Sequence, residues 1–308
     1  MGAITFIEAK QMKIKKITVL ALVLAMVMTS TVFVFADGED GGTQTGGTEV
    51  TTDTPEQPEQ PVTPPDPDAE KIAKYGYYHG QNATHIPVLT YHMVMSDKQK
   101  KKAKYRRSSL AVSQSTFDKQ VKYLVDKGYR TINCDEFYLW YMGKINLPPR
   151  SVLITFDDGY IGVATYALPV LKKYNAKGTC FIVGTRTLNN KKNTIGYNMM
   201  MNLRASQDNL EFQSHTYALH KKFKKKGEYE KVMNDAAKQK AIYGFEYLAY
   251  PYGRNTAGMR AAYAASGIKL AFTYGKNAYA TRSQNIYQIR RIKVDGRKSF
   301  KKFTKWVG

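Results

Sequence analysis

Short apolar runs alternate with amphipathic stretches along the chain from about residue 71 onward. The stretches 115–127, 161–174 and 256–265 have the apolar spacing of one helix face. Seven further runs are apolar and short, as is typical of buried strands: 87–91, 151–156, 178–183, 210–214, 244–250, 270–274 and 289–294. Strands that alternate with helices predict a parallel α/β protein. About seven strands favour a distorted (β/α)7-type barrel resembling a TIM barrel over an open sheet.

Two adjacent carboxylates, Asp157 and Asp158, directly follow the run 151–156, and Gly159 comes next. Successive strand residues point to opposite faces, and both faces of this run are apolar enough for burial. A desolvated carboxylate needs a charged partner or a metal ion. Active sites of barrels of this type lie at the C-terminal ends of the strands. One acid is therefore a candidate cation ligand and the other a candidate proton acceptor. An exposed acidic turn is the alternative.

Two histidines, His215 and His220, follow the run 210–214. Their offset would place the side chains about 140° apart on an α-helix, so they converge only if the segment turns as a loop. Together with one of the two acids they would supply three protein ligands and leave a coordination position open, as a catalytic zinc-type site requires. Two unrelated polar histidines in a loop are the alternative.

The sequence Thr155-Phe156-Asp157-Asp158-Gly159 and the two histidines resemble the polysaccharide deacetylases that share the nodulation-factor deacetylase (NodB) homology domain. The resemblance extends from about His85 to the C-terminus. It implies that Asp157 is the catalytic base and that Asp158, His215 and His220 bind a divalent metal ion. Zinc is the expected ion, and nickel, cobalt and iron are alternatives because they also accept imidazole and carboxylate ligands.

The segment Ala249-Tyr250-Pro251-Tyr252-Gly253 resembles a further family motif, in which the tyrosine backbone N–H, here that of Tyr252, helps to hold the oxyanion. Ala249 stands where the family usually has an arginine that steadies the catalytic aspartate. Asp157 therefore needs another cation, for which Arg290 and Arg291 are candidates.

The Leu-x-x-His motif expected near the C-terminus is absent after Arg290. Instead, Tyr91-His92 ends the first predicted strand. In the branch that deacetylates poly-β-1,6-N-acetylglucosamine an early histidine of this kind is the general acid, and the offset between His215 and His220 is also similar to that branch. We therefore expect His92 to be the general acid. A core histidine below the site is the alternative.

The resemblance predicts a metal-dependent hydrolase that removes N-acetyl groups from a polysaccharide containing N-acetylglucosamine. Poly-N-acetylglucosamine and peptidoglycan are the candidate substrates. One alternative is an O-acetyl esterase that acts on an acetylxylan-like glycan, since an ester depends less on a general acid. The other is a catalytically silent wall-binding module, which the missing arginine and the basic composition would suit.

Residues 1–36 are typical of a signal peptide, because lysines precede the apolar run 17–35 and Ala36 is a small residue suited to cleavage. The run is just long enough to span a bilayer, so a retained N-terminal membrane anchor is the alternative. Residues 37–70 are rich in Gly, Thr, Pro and acids, which predicts a disordered linker. Residues 71–308 then form the catalytic domain. We expect a monomer that is secreted or associated with the cell surface or cell wall.

The chain has a formal net charge of +22, and ten of its 25 acids fall in the predicted linker, so the catalytic domain is strongly basic. Basic residues cluster in 98–107, after His92, and in 221–226, after His220. We expect these segments to be basic loops at the mouth of the site that bind anionic cell-wall polymers. Solvated loops without a partner are the alternative. The sequence contains no aromatic-basic motif for nucleic acid, so we expect no nucleic-acid partner.

Overall fold

The computed structural model describes residues 66–76, 78–220, 229–274 and 278–308. The predicted signal peptide or anchor, the linker up to residue 65 and the basic segment 221–226 lie outside these residues. Within the described part of the chain, no helix has both the length and the apolar character needed to cross a membrane.

The described residues form ten strands and eleven α-helices. The strands are β1 (Val88–Tyr91), β2 (Met93–Met95), β3 (Ala111–Ser113), β4 (Arg130–Ile132), β5 (Ser151–Phe156), β6 (Gly178–Ile182), β7 (Leu210–Ser214), β8 (Tyr247–Ala249), β9 (Leu270–Phe272) and β10 (Ile292–Lys293). The helices are α1 (Ala69–Tyr75), α2 (Asp97–Lys101), α3 (Ala103–Arg106), α4 (Gln114–Asp126), α5 (Cys134–Tyr141), α6 (Leu168–Lys173), α7 (Gly184–Leu188), α8 (Tyr197–Ser206), α9 (Tyr229–Tyr243), α10 (Ala257–Ala265) and α11 (Phe300–Val307).

Eight strands form a curled parallel sheet in the order β10-β1-β5-β6-β7-β8-β9, with β4 paired to the first half of β5. A single parallel bridge between Phe272 and Ile289 connects β9 to the segment before β10. The sheet and its surrounding helices are a distorted (β/α) barrel, and each of the seven predicted strands contributes a strand to it. Strands β2 and β3 form a separate parallel pair.

Strand β5 shows how residue alternation positions the site. Its even-numbered residues, such as Ile154, pack in one core cluster with residues of α4, α6 and α11, whereas Leu153 belongs to the second cluster. Thr155 is fully buried on the same side as Leu153, and its hydroxyl donates to the carbonyl of Leu89. Asp157 continues that alternation and so enters the barrel interior.

Some predicted elements differ from the structure. The helix predicted over 161–174 is present, but its turn Val163–Ala167 is π-helical and leads directly into α6. Pro169 lies at the start of α6 and lacks the N–H that a regular helix would need there, which accounts for the wider turn. The segment 98–107 is not a loop, because it contains α2 and α3. A capping box between Ser96 and Gln99 begins α2.

The predicted boundary between linker and catalytic domain falls inside helix α1. Asp68 precedes this helix, is buried, and pairs with Lys144 at 2.6 Å and with Lys269 at 3.2 Å. Asp66 also pairs with Lys144, at 2.7 Å. These ion pairs thus hold the last residues of the segment assigned to the linker against the catalytic domain. Composition alone does not reveal such pairs.

Candidate metal centre and catalytic pocket

A cavity of about 500 Å³ lies at the C-terminal ends of the barrel strands. All six residues predicted for the site line it, together with others that the sequence did not single out. Its lining residues are His92, Leu110, Asp157, Asp158, Tyr160, Arg186, His215, His220, Tyr252, Gly253, Tyr274 and Lys293. The strand-end position predicted for the site is therefore where these side chains meet.

Asp158, His215 and His220 each direct one ligand atom into a common space, with all three atoms within 4.8 Å of one another. The Oδ1 atom of Asp158 lies 2.5 Å from Nε2 of His220 and 3.8 Å from Nε2 of His215. One carboxylate and two imidazoles are a donor set that suits zinc and related divalent ions. The arrangement therefore fits a divalent metal ion.

The surroundings of His215 support this fit. Its Nδ1 donates to the carbonyl of Ala249 at 2.7 Å, which leaves the Nε2 lone pair directed toward Asp158. An acceptor behind a ligating imidazole is the usual arrangement at metal sites. Burial lowers the pKa of His215 to about 4, so the ring is neutral at physiological pH, as a metal ligand must be.

Unusual backbone conformations bring the ligands together. Asp158 has φ 74° and Thr216 has φ 70°, which place two non-glycine residues in the left-handed region beside the site. The turn at Thr216 lets the rings of His215 and His220 approach to 5.1 Å between centroids. Asp235 of α9 holds this turn by accepting hydrogen bonds from the N–H groups of Tyr217 and Ala218, both at 2.7 Å. The segment therefore turns as a loop, as convergence of the histidines requires.

Arg291 is the cation that pairs with Asp157. Its Nη1 and Nη2 donate to the two carboxylate oxygens of Asp157, both at 2.8 Å, and the arginine side chain is fully buried. Thr155 and Thr273 accept further bonds from the guanidinium. Burial alone would raise the pKa of Asp157, but the Arg291 charge outweighs burial and holds this pKa below its ordinary value. Arg290, the other candidate, is exposed.

His92 and Tyr252 both line the pocket, and they follow the C-terminal ends of two different strands, β1 and β8. His92 joins β1 to β2 and is partly buried. Burial lowers its pKa, although the negative charges of Asp157 and Asp158 act to raise it. Tyr252 is 53% exposed and has φ 59°, and its ring lies 5.3 Å from that of His220. Gly253 follows with φ 67°, and a Cβ atom there would lie 2.1 Å from Cβ of Tyr274, so this turn requires glycine.

Arg186 is a pocket residue that sequence reasoning missed and that contacts the candidate metal ligands. It lies in α7, just after β6, and its Nη1 donates to Oδ1 of Asp158 at 3.2 Å while Nη2 donates to Nδ1 of His220 at 2.9 Å. The one available signal was its position shortly after a predicted strand, at the end where active sites of this fold lie. No motif distinguished it from the many other basic residues of the chain.

We expect Arg291→Met to lower the free energy of unfolding of the metal-free protein by about 3–5 kcal/mol, because it leaves a buried carboxylate without its partner. Wild-type Asp157 has a lowered pKa, so its contribution persists down to acidic pH and is lost only below the ordinary value of 3.8. In the variant, burial raises that pKa, so stability falls as the pH rises through it. The loss should therefore be larger at neutral than at mildly acidic pH.

Urea unfolding with a chelator present, at both pH values, measures this difference. Arg290→Met is the matched control, because it removes the neighbouring exposed charge and should change stability by less than about 0.5 kcal/mol. Equal losses in the two variants, or a loss that does not depend on pH, would contradict the assigned pair.

A family model described as polysaccharide deacetylase matches residues 144–271. This segment includes Asp157, Asp158, His215 and His220, whereas His92 and Arg291 lie outside it. Among curated proteins, Bacillus subtilis YxkH, whose name places it with the polysaccharide deacetylases, is 27% identical over 68% of this chain and 71% of its own length. The poly-β-1,6-N-acetyl-D-glucosamine N-deacetylase of Staphylococcus aureus is 28% identical over 60% of this chain and 68% of its own length.

Solved structures share the fold. The Streptococcus pyogenes deacetylase PplD, in complex with acetate, superposes with a TM-score of 0.64 at 23% identity, over 73% of this chain and 99% of PplD. IcaB from Ammonifex degensii gives a TM-score of 0.60 at 24% identity, over 73% of this chain and 98% of IcaB. The strand-end acids and histidines thus lie in one pocket, within a segment that matches the polysaccharide deacetylase family model.

Proposed function

We propose that this protein is a metal-dependent hydrolase that removes N-acetyl groups from a polysaccharide containing N-acetylglucosamine at the cell surface. The observation that carries the proposal is the pairing, in one pocket, of an ionised buried acid with the cluster of Asp158, His215 and His220. Such a pocket has separate groups for a metal ion and for the proton of an attacking water.

Asp158, His215 and His220 would hold the metal ion, zinc most simply, which supplies Lewis acidity and lowers the pKa of water. Asp157 accepts the proton of the water that attacks the acetyl carbonyl. Arg291 keeps this carboxylate ionised and fixes both of its oxygens, so that its orientation does not depend on substrate. Its low pKa makes Asp157 a weak base, which is compatible with accepting a proton from an acidified water.

In the proposed reaction, His92 protonates the departing amine. An amide nitrogen leaves poorly without a proton, and imidazole is suited to deliver one near neutral pH. The negative charges of Asp157 and Asp158 favour the protonated ring and so oppose the effect of burial. The backbone N–H of Tyr252 would stabilise the oxyanion, and the exposed Tyr252 ring offers an aromatic face to a sugar at the mouth of the pocket.

Two observations support poly-β-1,6-N-acetylglucosamine as the substrate over peptidoglycan. The Staphylococcus aureus relative is named for that polymer, and His92 enters the pocket from the first strand, as the resemblance to that branch implies. The alternative of a catalytically silent wall-binding module is weakened, because Arg291 supplies the cation that is missing at position 249.

We expect acetate release from poly-N-acetylglucosamine to exceed release from peptidoglycan, chitin oligomers and acetylxylan. A chelator should abolish it and added zinc should restore it. Asp157→Asn should lower the rate by about 10²–10⁴-fold, since the base is lost. Measurement of free acetate across this panel tests the assignment. Release from none of the four polymers by metal-loaded protein would favour the silent module.

We expect His92→Ala to lower kcat on an N-acetylated oligosaccharide by about 10²–10⁴-fold. Hydrolysis of 4-nitrophenyl acetate should hardly change, because a nitrophenolate leaves without a proton. His85→Ala is the control, since this exposed ring stacks on Tyr279 and does not line the pocket. Equal effects on amide and ester would remove His92 from the acid role, and fast release from acetylxylan by His92→Ala would favour the esterase alternative.

The exposed basic residues around α2 and α3 form a surface next to the pocket, for which we propose binding to an anionic cell-wall polymer. This basic surface consists of Lys98, Lys101, Lys102, Lys104, Arg106 and Arg107. Lys100 instead turns inward and donates to the carbonyls of Tyr105, Arg106 and Ser108. Asp97, the acid of this segment, accepts hydrogen bonds from the backbone N–H and the hydroxyl of Ser115. Leu110, which lines the pocket, follows closely, so a polymer held here lies at the entrance.

Replacing Lys98, Lys101, Lys102 and Lys104 with glutamine should weaken binding to cell walls rich in phosphodiester polymers and reduce its salt dependence. The control replaces four exposed lysines at and before α11, of which none lines the pocket: Lys298, Lys301, Lys302 and Lys305. Cosedimentation at several salt concentrations, with walls before and after removal of the phosphodiester polymer, measures the effect. Equal loss in both variants would mean that net charge alone acts.

A further inference from the structure

Arg186 contacts two of the three candidate metal ligands. Its Nη1 donates to the same Asp158 oxygen, Oδ1, that faces both histidines, and its Nη2 donates to His220. The side chain is about a quarter exposed, so it reaches the cluster from the rim of the pocket. A fixed positive charge thus lies beside the position where a divalent cation would bind.

The backbone holds Arg186 in this place. Helix α7 begins against the histidine loop, where Gly184 N–H donates to the carbonyl of Thr216 and Thr185 N–H donates to that of Tyr217. Gly184 allows this approach, because a Cβ atom there would lie 2.4 Å from Oε1 of Gln239 and 2.7 Å from the Tyr217 ring. Arg186 is therefore positioned by the same loop that positions His215 and His220.

The Nδ1 atoms of His215 and His220 have hydrogen-bond partners of opposite kinds, an acceptor for His215 and a donor for His220. The Ala249 carbonyl behind His215 accepts a hydrogen bond from Nδ1, which leaves Nε2 with its lone pair. Arginine has only donors, so Nδ1 of His220 must accept from Arg186. In this arrangement Nε2 of His220 carries hydrogen toward Asp158, whereas a ligating nitrogen must offer a lone pair.

We propose that Arg186 competes with the metal ion for Asp158 and His220, so that it lowers the metal affinity and withdraws from both residues when the ion binds. The inference rests on the metal site of the proposed function. Two cations that share one carboxylate oxygen repel each other, and the field is strong where solvent is largely excluded. In the metal-free protein, the positive charge of Arg186 would take the place of the charge of the ion and would keep the ligands close together.

The test is the affinity of the metal-free full-length protein for zinc, measured by competition with a chromophoric chelator. Arg186→Gln removes the charge and should bind zinc about tenfold or more tightly than wild type, in the range by which groups behind metal ligands act. Arg186→Lys retains the charge and should stay closer to wild type. Arg204→Gln is the matched control, because Arg204 lies in α8 and donates to the carbonyl of Tyr243, away from the ligands.

Thermal unfolding of each metal-free variant checks that the site is still folded. If folded Arg186→Gln binds zinc as tightly as wild type or more weakly, the competition is overturned. The deacetylase proposal still stands in that case, provided that wild type binds zinc and Asp158→Asn does not. If wild type and Arg186→Gln both fail to bind zinc, the metal site itself fails and both proposals fall. Tighter binding in Arg204→Gln as well would assign the effect to net charge and also overturn the competition.

Discussion

A buried carboxylate inside a barrel is stable as an anion only if a cation is buried with it, and the Asp157–Arg291 pair meets this condition with two hydrogen bonds of 2.8 Å. Asp157 lies on the inner face because it continues the alternation of β5, and Arg291 reaches it from the residue before β10. The neighbouring Asp158 turns away through a left-handed conformation toward the histidines. Two adjacent acids thus acquire different surroundings.

The pair also bears on the resemblance to the polysaccharide deacetylases. The resemblance places an arginine where Ala249 stands, and the structure has the cation just before another strand, β10. Ala249 still contributes to the site, because its carbonyl orients His215. The backbone role at this position does not depend on the side chain. A missing motif residue was therefore a weak argument for an inactive protein, since the charge requirement can be satisfied from elsewhere in the barrel.

Sequence reasoning predicted seven of the ten described strands, because alternation and β-branched runs are local properties, but it missed the three-residue strands β2, β3 and β4. It also predicted that the acids and histidines meet at the C-terminal ends of the strands. It also named Arg291 as one of two candidates, from the need for a counter-charge. It did not predict Arg186, whose role depends on how α7 packs against the histidine loop. It also took 98–107 as a loop, because its charges obscured the capping box at Ser96.

The position of β10 has a consequence for when the pocket is completed. β10 lies next to β1, and Arg291 precedes it, so the first and last parts of the barrel must both be present before Asp157 acquires its counter-ion. During synthesis, every other group of the pocket except Lys293 emerges before Arg291. Asp157 thus obtains its counter-ion only when the two ends of the sheet have both been synthesised, and a polypeptide that ends before residue 291 lacks that counter-ion.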